Sequence, residues 1–522
     1  MRKLELAHDV PHIHKQPGNS TSINELPHIL IQGCSVLAPN QPGHLLTNQD
    51  ILIVGERIQE VGPSGSLSYN PLRLDQVISG KDRLVIPGMI NAHTHSLENV
   101  LKATSPSLPL ELWLVPLFGN TFEWTPRMAY LSAALGALEM LKTGTTAVLD
   151  HLWTPSGVSE PFLDAVMQAY EDVGIRAAVA PSIEDQDLVL DCGLQRGLHF
   201  PEHPFTDRFE LWPPIEEQLE TLEQFIARWH QSSSGRLSCL VGPSGIHWCS
   251  QMLLEHCNLL AERYETGMHI HAVETALQAQ VIREYLGQEG IAYLADQYIM
   301  RPGTSLAHAI WLAPGDLERI ACSGATLVHN PVSNLRLGSG RFPLKRALDL
   351  GVSVALGCDG SASNDNQNMF SVLKLAGLLH NYPRLDYKKW PGAAAIFSAS
   401  TTGGAAALGL ASELGEIAPG QLADLVMLDL NSTAFLPLRD PYLHLVYCEP
   451  GSAVETVIVH GETVVEHGKL TRLDEAALIQ EVRELCQKDW QTQMPAIAEN
   501  TYTVMSQIDT LRHMVLHHQS KE

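Results

Sequence analysis

The chain has 522 residues, 45% of them hydrophobic and 18% charged, which is enough apolar surface for a large core and more than one structural unit. A formal net charge of −24, with no Lys/Arg-rich run, excludes the basic stripe that a nucleic-acid binder uses to displace counterions from phosphates. No apolar run reaches the roughly 18 residues of a membrane-spanning helix, and the nine cysteines, odd in number and without a C-x-x-C pair, point to a reducing cytoplasm rather than a disulfide framework or thiolate zinc cluster.

In chain order, residues 1–27 read as a polar leader, basic at its start but lacking the apolar stretch and cleavage site of a signal peptide. Residues 28–86 hold short runs, ILIQGCSVLA, DILIVGERIQEVG and RLVI, separated by Pro, Gly and Asn, as expected of a small β unit. From Pro87 the texture changes to apolar runs alternating with helix-period segments. In one of these, Thr125 caps a helix that begins at Pro126, carries Leu131, Leu135 and Leu138 on one stripe and closes at Gly144.

Eight such runs, VIPGMINAHTH, TTAVLDH, IRAAVAPSI, LSCLVGPSG, MHIHAVE, SLAHAIW, ATLVHNP and VSVALGCDG, predict an α/β fold, a (β/α)8 TIM barrel over residues 87–408. A doubly wound open sheet is the runner-up and lacks a Gly-rich phosphate fingerprint. Residues 409–470 return to short β runs, LADLVMLDL and AVETVIVHGETVVEHGKL, and are expected to join residues 28–86 in a small β-sandwich domain formed by both chain ends. Residues 471–522 read as helical, with Leu478, Ile479, Val482 and Leu485 on one face and Val504, Ile508, Leu511 and Val515 on another.

The polar residues that interrupt these runs carry the chemistry. His93 and His95, two apart on a strand, point to the same face. With 24 histidines, about one His-x-His pair is expected by chance; the chain has three, His12/His14, His93/His95 and His269/His271, and the first sits in the leader with no strand around it. His93, His95, His151, Glu274, His308, His329 and Asp359 all fall at C-terminal ends of barrel strands, where the βα loops converge. His93, His95, His271 and Asp359 make an N/O ligand set for one divalent ion with a place left for water, whose pKa the ion lowers. Glu274 is then the proton carrier, and His308 and Asp359 orient or polarise the water. Because positions three apart do not share a strand face, Glu274 must lie beyond the strand that carries His271. Each residue alone has a plain structural reading, a core histidine for His308, a turn residue for Asp359 and a solvated Glu274; their shared placement at the ends of strands one, five, six and eight selects the metal site.

PGMINAHTH, HIHAVET, SLAH, HNPVSNLRLGSGRFP and LGCDGSASND, in this order, strongly resemble the deaminase and triazine-hydrolase branch of the amidohydrolase superfamily, over roughly residues 28–470. The resemblance implies the barrel and β-sandwich, His93, His95, His271 and Asp359 as metal ligands, Glu274 as proton shuttle and His308 as the sixth-strand catalytic histidine. Binuclear relatives bridge two ions with a carboxylated lysine on strand four; LSCLVGPSG has none, so one ion is expected, zinc in preference to iron. The implied activity is hydrolytic deamination of a purine, pterin, pyrimidine or triazine type of heterocycle, a small-molecule substrate, and a homo-oligomer is compatible with the resemblance. Displacement of chloride or alkylamine from a triazine-like ring, or opening of a cyclic amide, is the alternative within the class, and a non-catalytic binding protein on the same barrel is the alternative outside it. Where many relatives carry a histidine near the end of strand four, this chain has Ser244, followed by His247 and Trp248, which argues against direct transfer of an adenosine-type substrate. Trp113, His151, Glu184, Ser244, His247, Trp248 and His329 are the candidate substrate contacts, with Trp113 equally readable as core and His329 as a brace of the HNP turn. The Pro-punctuated segment 185–215 reads either as a substrate-gating loop or as a solvated insertion.

Overall fold

A computed structural model describes residues 26–37, 43–119, 124–382, 386–490 and 498–516. The leader and its His12/His14 pair lie outside the described residues, apart from Leu26 and Pro27. Eight strands carry the central unit: β1 Met89–Thr94, β2 Thr145–Leu152, β3 Arg176–Ile183, β4 in two pieces, Leu237–Cys239 and Gly242–Pro243, β5 Met268–Ala272, β6 Thr304–His308, β7 Thr326–His329 and β8 Ser353–Leu356. Strands β1 to β4 pair in parallel in sequence order, and so do β5 to β8. Parallel bridges Val241–Met268 and Gly245–His271 join the two sheets on one side. On the other, the Asp359 amide donates to the His93 carbonyl at 2.8 Å, and the Cys358 amide to Asn91 Oδ1 at 2.8 Å. The order runs from one to eight without the strand-order reversal of a doubly wound sheet, so the mixed α/β fold is TIM-barrel-like.

The local reasons are legible in the residues. Strands β1 and β2 are buried along their whole length, as parallel strands covered on both faces must be. The helix Pro126–Lys142 starts where the Thr125 hydroxyl accepts from the Met128 amide at 3.2 Å, and Leu131 and Leu138 enter the core.

Both chain ends contribute to one nine-stranded sheet, in which Arg83–Pro87 pairs antiparallel with Leu425–Asp429. The C-terminal helices Glu475–Trp490 and Thr501–Leu516 follow. On the first, Leu478 is buried but Ile479 is 36% exposed, because the next residue lies about 100° further round a helix. On the second, Val504 and Ile508 pack with Leu110, Trp113 and Leu114, while Leu511 and Val515 pack with Leu188, Val189 and Leu277. No helix among the described residues is long and apolar enough to cross a membrane.

The barrel is tied to the nine-stranded sheet by a buried ion pair. Arg176, the first residue of β3, donates through Nε and one terminal nitrogen to the two Asp424 oxygens at 2.8 and 2.9 Å, and both side chains are almost fully buried. Such a pair is weak evidence of net stabilisation, yet removing one partner strands a buried charge. Arg176→Met is expected to lower stability by about 3–5 kcal/mol, seen as a fall in the urea midpoint; an unchanged midpoint would show that Asp424 is solvated without its partner.

Candidate active site

At the C-terminal rim the histidines and carboxylates converge. His93 Nε2 lies 3.3 Å and His95 Nε2 3.4 Å from Asp359 Oδ1. Ligand atoms of His93, His95 and His271 lie within 4.8 Å of one another, as do those of His93, His308 and Asp359. Two ligands about 2.1 Å from a tetrahedral ion stand roughly 3.4 Å apart, which is the spacing observed at Asp359.

The remaining hydrogen bonds show which lone pairs are free for an ion. His95 Nδ1 bonds to the His151 carbonyl at 2.6 Å and His271 Nδ1 to the Ser244 carbonyl at 2.5 Å, so both turn Nε2 inward. His93 Nδ1 is 2.7 Å from His269 Nε2, and His93 Nε2 is buried with no hydrogen-bond partner among the described residues. A buried polar atom without a partner is costly; a divalent cation there satisfies it, and the donor set fits zinc or iron. Burial pushes His93 down to about 4, which keeps its imidazole neutral. Burial works to raise Asp359, but the imidazoles of His93, His308 and His95 outweigh it and hold the carboxyl well below its ordinary range. Burial likewise holds His271 well below the usual imidazole range, whereas at His95 burial is outweighed by the carboxylates of Glu98 and Asp359, which raise it.

Glu274 sits two residues beyond the end of β5, on the same cavity wall as His271. Val273 between them has φ +38°, a conformation that L residues rarely adopt and that breaks the strand's two-residue alternation. Glu274 Oε1 accepts from Ser339 Oγ at 2.8 Å and lies 3.6 Å from His308 Nδ1. Burial raises Glu274 above the usual carboxylate range, opposed by His308 and reinforced by Asp359. His308 Nδ1 contacts Asn334 Oδ1 at 2.8 Å, which leaves Nε2 facing Asp359 Oδ2 at 3.8 Å. His308 and Asp359 themselves have φ of +67° and +69°. Three strained residues at the exits of β5, β6 and β8 are the kind of backbone cost, of order 1–3 kcal/mol each, that clusters where side chains must be aimed.

Above this rim opens a cleft whose empty space, part of it continuous with open solvent, is about 860 Å³. Of the candidate substrate contacts, Trp113, Glu184, Ser244 and Trp248 line it, and His151, His247 and His329 do not. His151 is fully buried behind the rim, stacked on His271 with ring centroids 4.7 Å apart. His247 packs against Trp248 with the rings tilted and their centroids 4.1 Å apart. His329 turns to the outer layer, stacked on Phe342 at 4.6 Å with its Nε2 3.1 Å from His380 Nε2. The segment 185–215 is neither purely solvated nor a free loop: it forms helices Leu188–Gln195 and Arg208–Leu211, and Phe205, Arg208 and Trp212 line the cavity.

Several residues at the site were given no role from the sequence. His269, Asn334 and Ser339 support His93, His308 and Glu274, and they stand inside the MHIH and SNLRLGSG stretches, where parity and adjacency were available signals. Glu98, pushed up to about 7 by burial, lines the cavity one helical turn after His95. Leu110, Trp113, Leu114, Leu117 and Phe118 line it at i, i+3, i+4, i+7 and i+8 of helix Leu110–Phe118, a stripe visible in LELWLVPLF.

Comparison with known proteins places this geometry. Residues 84–464 match the amidohydrolase family. The chain is 31% identical over 460 residues to the 5-methylthioadenosine/S-adenosylhomocysteine deaminase of Nitratidesulfovibrio vulgaris, covering 88% of this chain and 96% of that protein. It is 30% identical over 463 residues to the 5'-deoxyadenosine deaminase of Methanosarcina mazei, covering 88% and 98%. Among solved structures, an adenosine deaminase from Xanthomonas campestris with bound zinc superposes with a TM-score of 0.77 at 25% identity, covering 89% of this chain and 98% of that one. The atrazine chlorohydrolase of Arthrobacter aurescens TC1 complexed with zinc gives 0.78 at 26% identity, covering 88% and 99%. With a family match over most of its length and relatives at this identity and coverage, the chain belongs to the amidohydrolase family, whose members are metal-dependent hydrolases.

Proposed function

We propose that this protein hydrolytically deaminates a nitrogen heterocycle of the purine, pterin, pyrimidine or triazine type, with His93, His95, His271 and Asp359 holding one divalent ion, zinc in preference to iron. The reaction exchanges a ring C–NH2 for C=O, consuming water and releasing ammonia. When bound, the ion lowers the pKa of water and acts as a Lewis acid. The observation that carries the reading is Glu274: a buried carboxyl, raised in pKa, is anchored 2.8 Å from Ser339 and faces the cavity beside the ligand group. It is suited to take a proton from water and deliver it to the ring nitrogen or the leaving amine. His308, with Nδ1 committed to Asn334, presents Nε2 to the same space and orients the attacking oxygen. Asp359, held ionised among three imidazoles, serves as ligand and as acceptor.

The names of the relatives favour deamination of an adenosine-like ring, and the zinc in the two solved structures favours that metal. Ser244 stands in the cavity wall with its hydroxyl 2.6 Å from that of Ser182, so a neutral hydroxyl pair stands where, by the resemblance, many relatives carry a histidine. The likeness to a chlorohydrolase supports a second reading on the same residues, in which chloride or an alkylamine leaves a triazine-like ring.

For the domains, we take residues 87–408 as the hydrolase barrel, 28–86 and 409–470 as the two parts of a β-sandwich, and 471–522 as a helical extension. One apolar cluster supports the sandwich: Ile31, Ile51 and Ile53 from the N-terminal strands pack with Leu425, Met427 and Ile458 from the C-terminal ones.

Behind His93 runs a relay that fixes its tautomer. With Nε2 reserved for the ion, Nδ1–H donates to His269 Nε2, and His269 Nδ1–H donates to Ser305 Oγ at 2.7 Å. His269→Gln is expected to weaken metal affinity by about 10–100-fold, measured by competition with a chelator; unchanged affinity would dismiss the relay. Glu274→Gln is expected to retain the metal by elemental analysis while turnover falls about 10²–10⁴-fold. Ammonia release at the wild-type rate by this variant would remove Glu274 from the chemistry.

A further inference from the structure

Beyond the rim, the cavity holds one Lys or Arg among its described lining residues, Arg208, and that charge is already spent. Arg208 Nε donates to Glu184 Oε1 at 2.6 Å, one terminal nitrogen to Asp187 Oδ2 at 2.8 Å and the other to the Phe205 carbonyl at 2.7 Å. Its side chain is 2% exposed, and its guanidinium carbon lies 4.4 Å from the Phe209 ring centroid. Asp187 is fixed in turn by the Trp248 indole N–H at 3.2 Å, and its other oxygen caps helix Leu188–Gln195 through the amides of Val189 and Leu190. With a bond to protein from each of its three nitrogens and its charge paired with two carboxylates, the guanidinium is not free to pair with a ligand anion. Two carboxylates against one cation make the cluster anionic. The neighbouring wall is apolar, with Trp113, Leu114, Phe118 and Trp212 on it.

We propose that this clamp makes the outer cavity an anion-excluding specificity site, so that the substrate is an uncharged heterocycle with an apolar substituent and analogues carrying a carboxylate or phosphate on that substituent are rejected. The inference rests on the proposed deaminase reading for the ring but not for the substituent, whose surroundings are fixed by residues away from the chemistry. Desolvating an anion beside two carboxylates whose one cation is already paired with them is unfavourable on both the solvation and the Coulomb side. Glu184→Gln removes one of the two acidic partners and makes the cluster neutral; Asp187→Asn does the same from the other side.

The test uses the full chain loaded with zinc and pairs of ligands that differ in one group: adenine and an aminotriazine, each bearing either a propyl or a carboxyethyl substituent. Affinity is read by quenching of the cavity tryptophans, and ammonia release is followed in parallel. The propyl member of at least one pair is expected to bind about 100-fold or more tightly than its carboxyethyl partner, and the ratio is expected to narrow at least tenfold in Glu184→Gln or Asp187→Asn. Equal affinities in the wild type, or no binding of either propyl compound, would overturn the proposal, as would ratios unchanged in both variants. Discrimination in binding without ammonia from any ring would support the anion exclusion while refuting the deaminase reading, so the two fail separately.

Discussion

The hydrogen bond from the Asp359 amide to the His93 carbonyl closes the seam between the first barrel strand and the exit of the last. The same two residues bring Nε2 and Oδ1 to 3.3 Å. Closing the barrel and assembling the proposed ion-binding group thus depend on the same contact, and neither residue can be displaced without loosening both. The close approach requires a glycine at Gly357, where a Cβ would stand 2.9 Å from that of His93. The order LGCDG is in this sense a packing constraint as much as a chemical signature.

A barrel strand alone cannot deliver the remaining groups, because its alternation sends every second side chain outward. His271 and Glu274, three apart, belong on opposite faces by that rule, and the left-handed turn at Val273 is what reconciles them. His308 and Asp359 solve the same problem on their own residues. The strain is held by ties that reach across the chain: the Ala309 amide to the Ala272 carbonyl, the Trp311 amide to the Val273 carbonyl and the Asp359 amide to the His93 carbonyl. Backbone strain and side-chain aim are two descriptions of one design.

Much of this was readable in advance because it is written in local pattern. The eight buried runs stand where the eight strands form, and His93, His95, His271, Glu274, His308 and Asp359 come together at one rim. Parity also showed that Glu274 had to lie beyond its strand. What escaped was set by contacts distant in sequence. His151, His247 and His329 follow apolar runs much as the proposed ligands do, yet their rings pack against His271, Trp248 and Phe342 and do not line the cavity. The role of Arg208 depends on Glu184 and Asp187, more than 20 residues earlier, and no periodicity links them. Ile479 shares its neighbours' hydropathy but not their azimuth.

The division of labour that follows is between strands and their covers. The proposed ion-binding group and Glu274 hang from the barrel, whose closure fixes them. The cavity wall belongs to helix Leu110–Phe118 and to the segment around Arg208. Both are held from outside by helix Thr501–Leu516, whose Val504 and Ile508 meet the first and whose Leu511 and Val515 meet helix Leu188–Gln195. The His203 ring reaches Thr501 at 3.0 Å, and Glu111 bonds to Thr275, the residue after Glu274. Through that last contact the wall is hydrogen-bonded to the residue next to Glu274. A scaffold so arranged can change what it admits by altering the wall while leaving the rim intact, which is consistent with relatives that are named for different substrates yet superpose over nearly the whole of this chain.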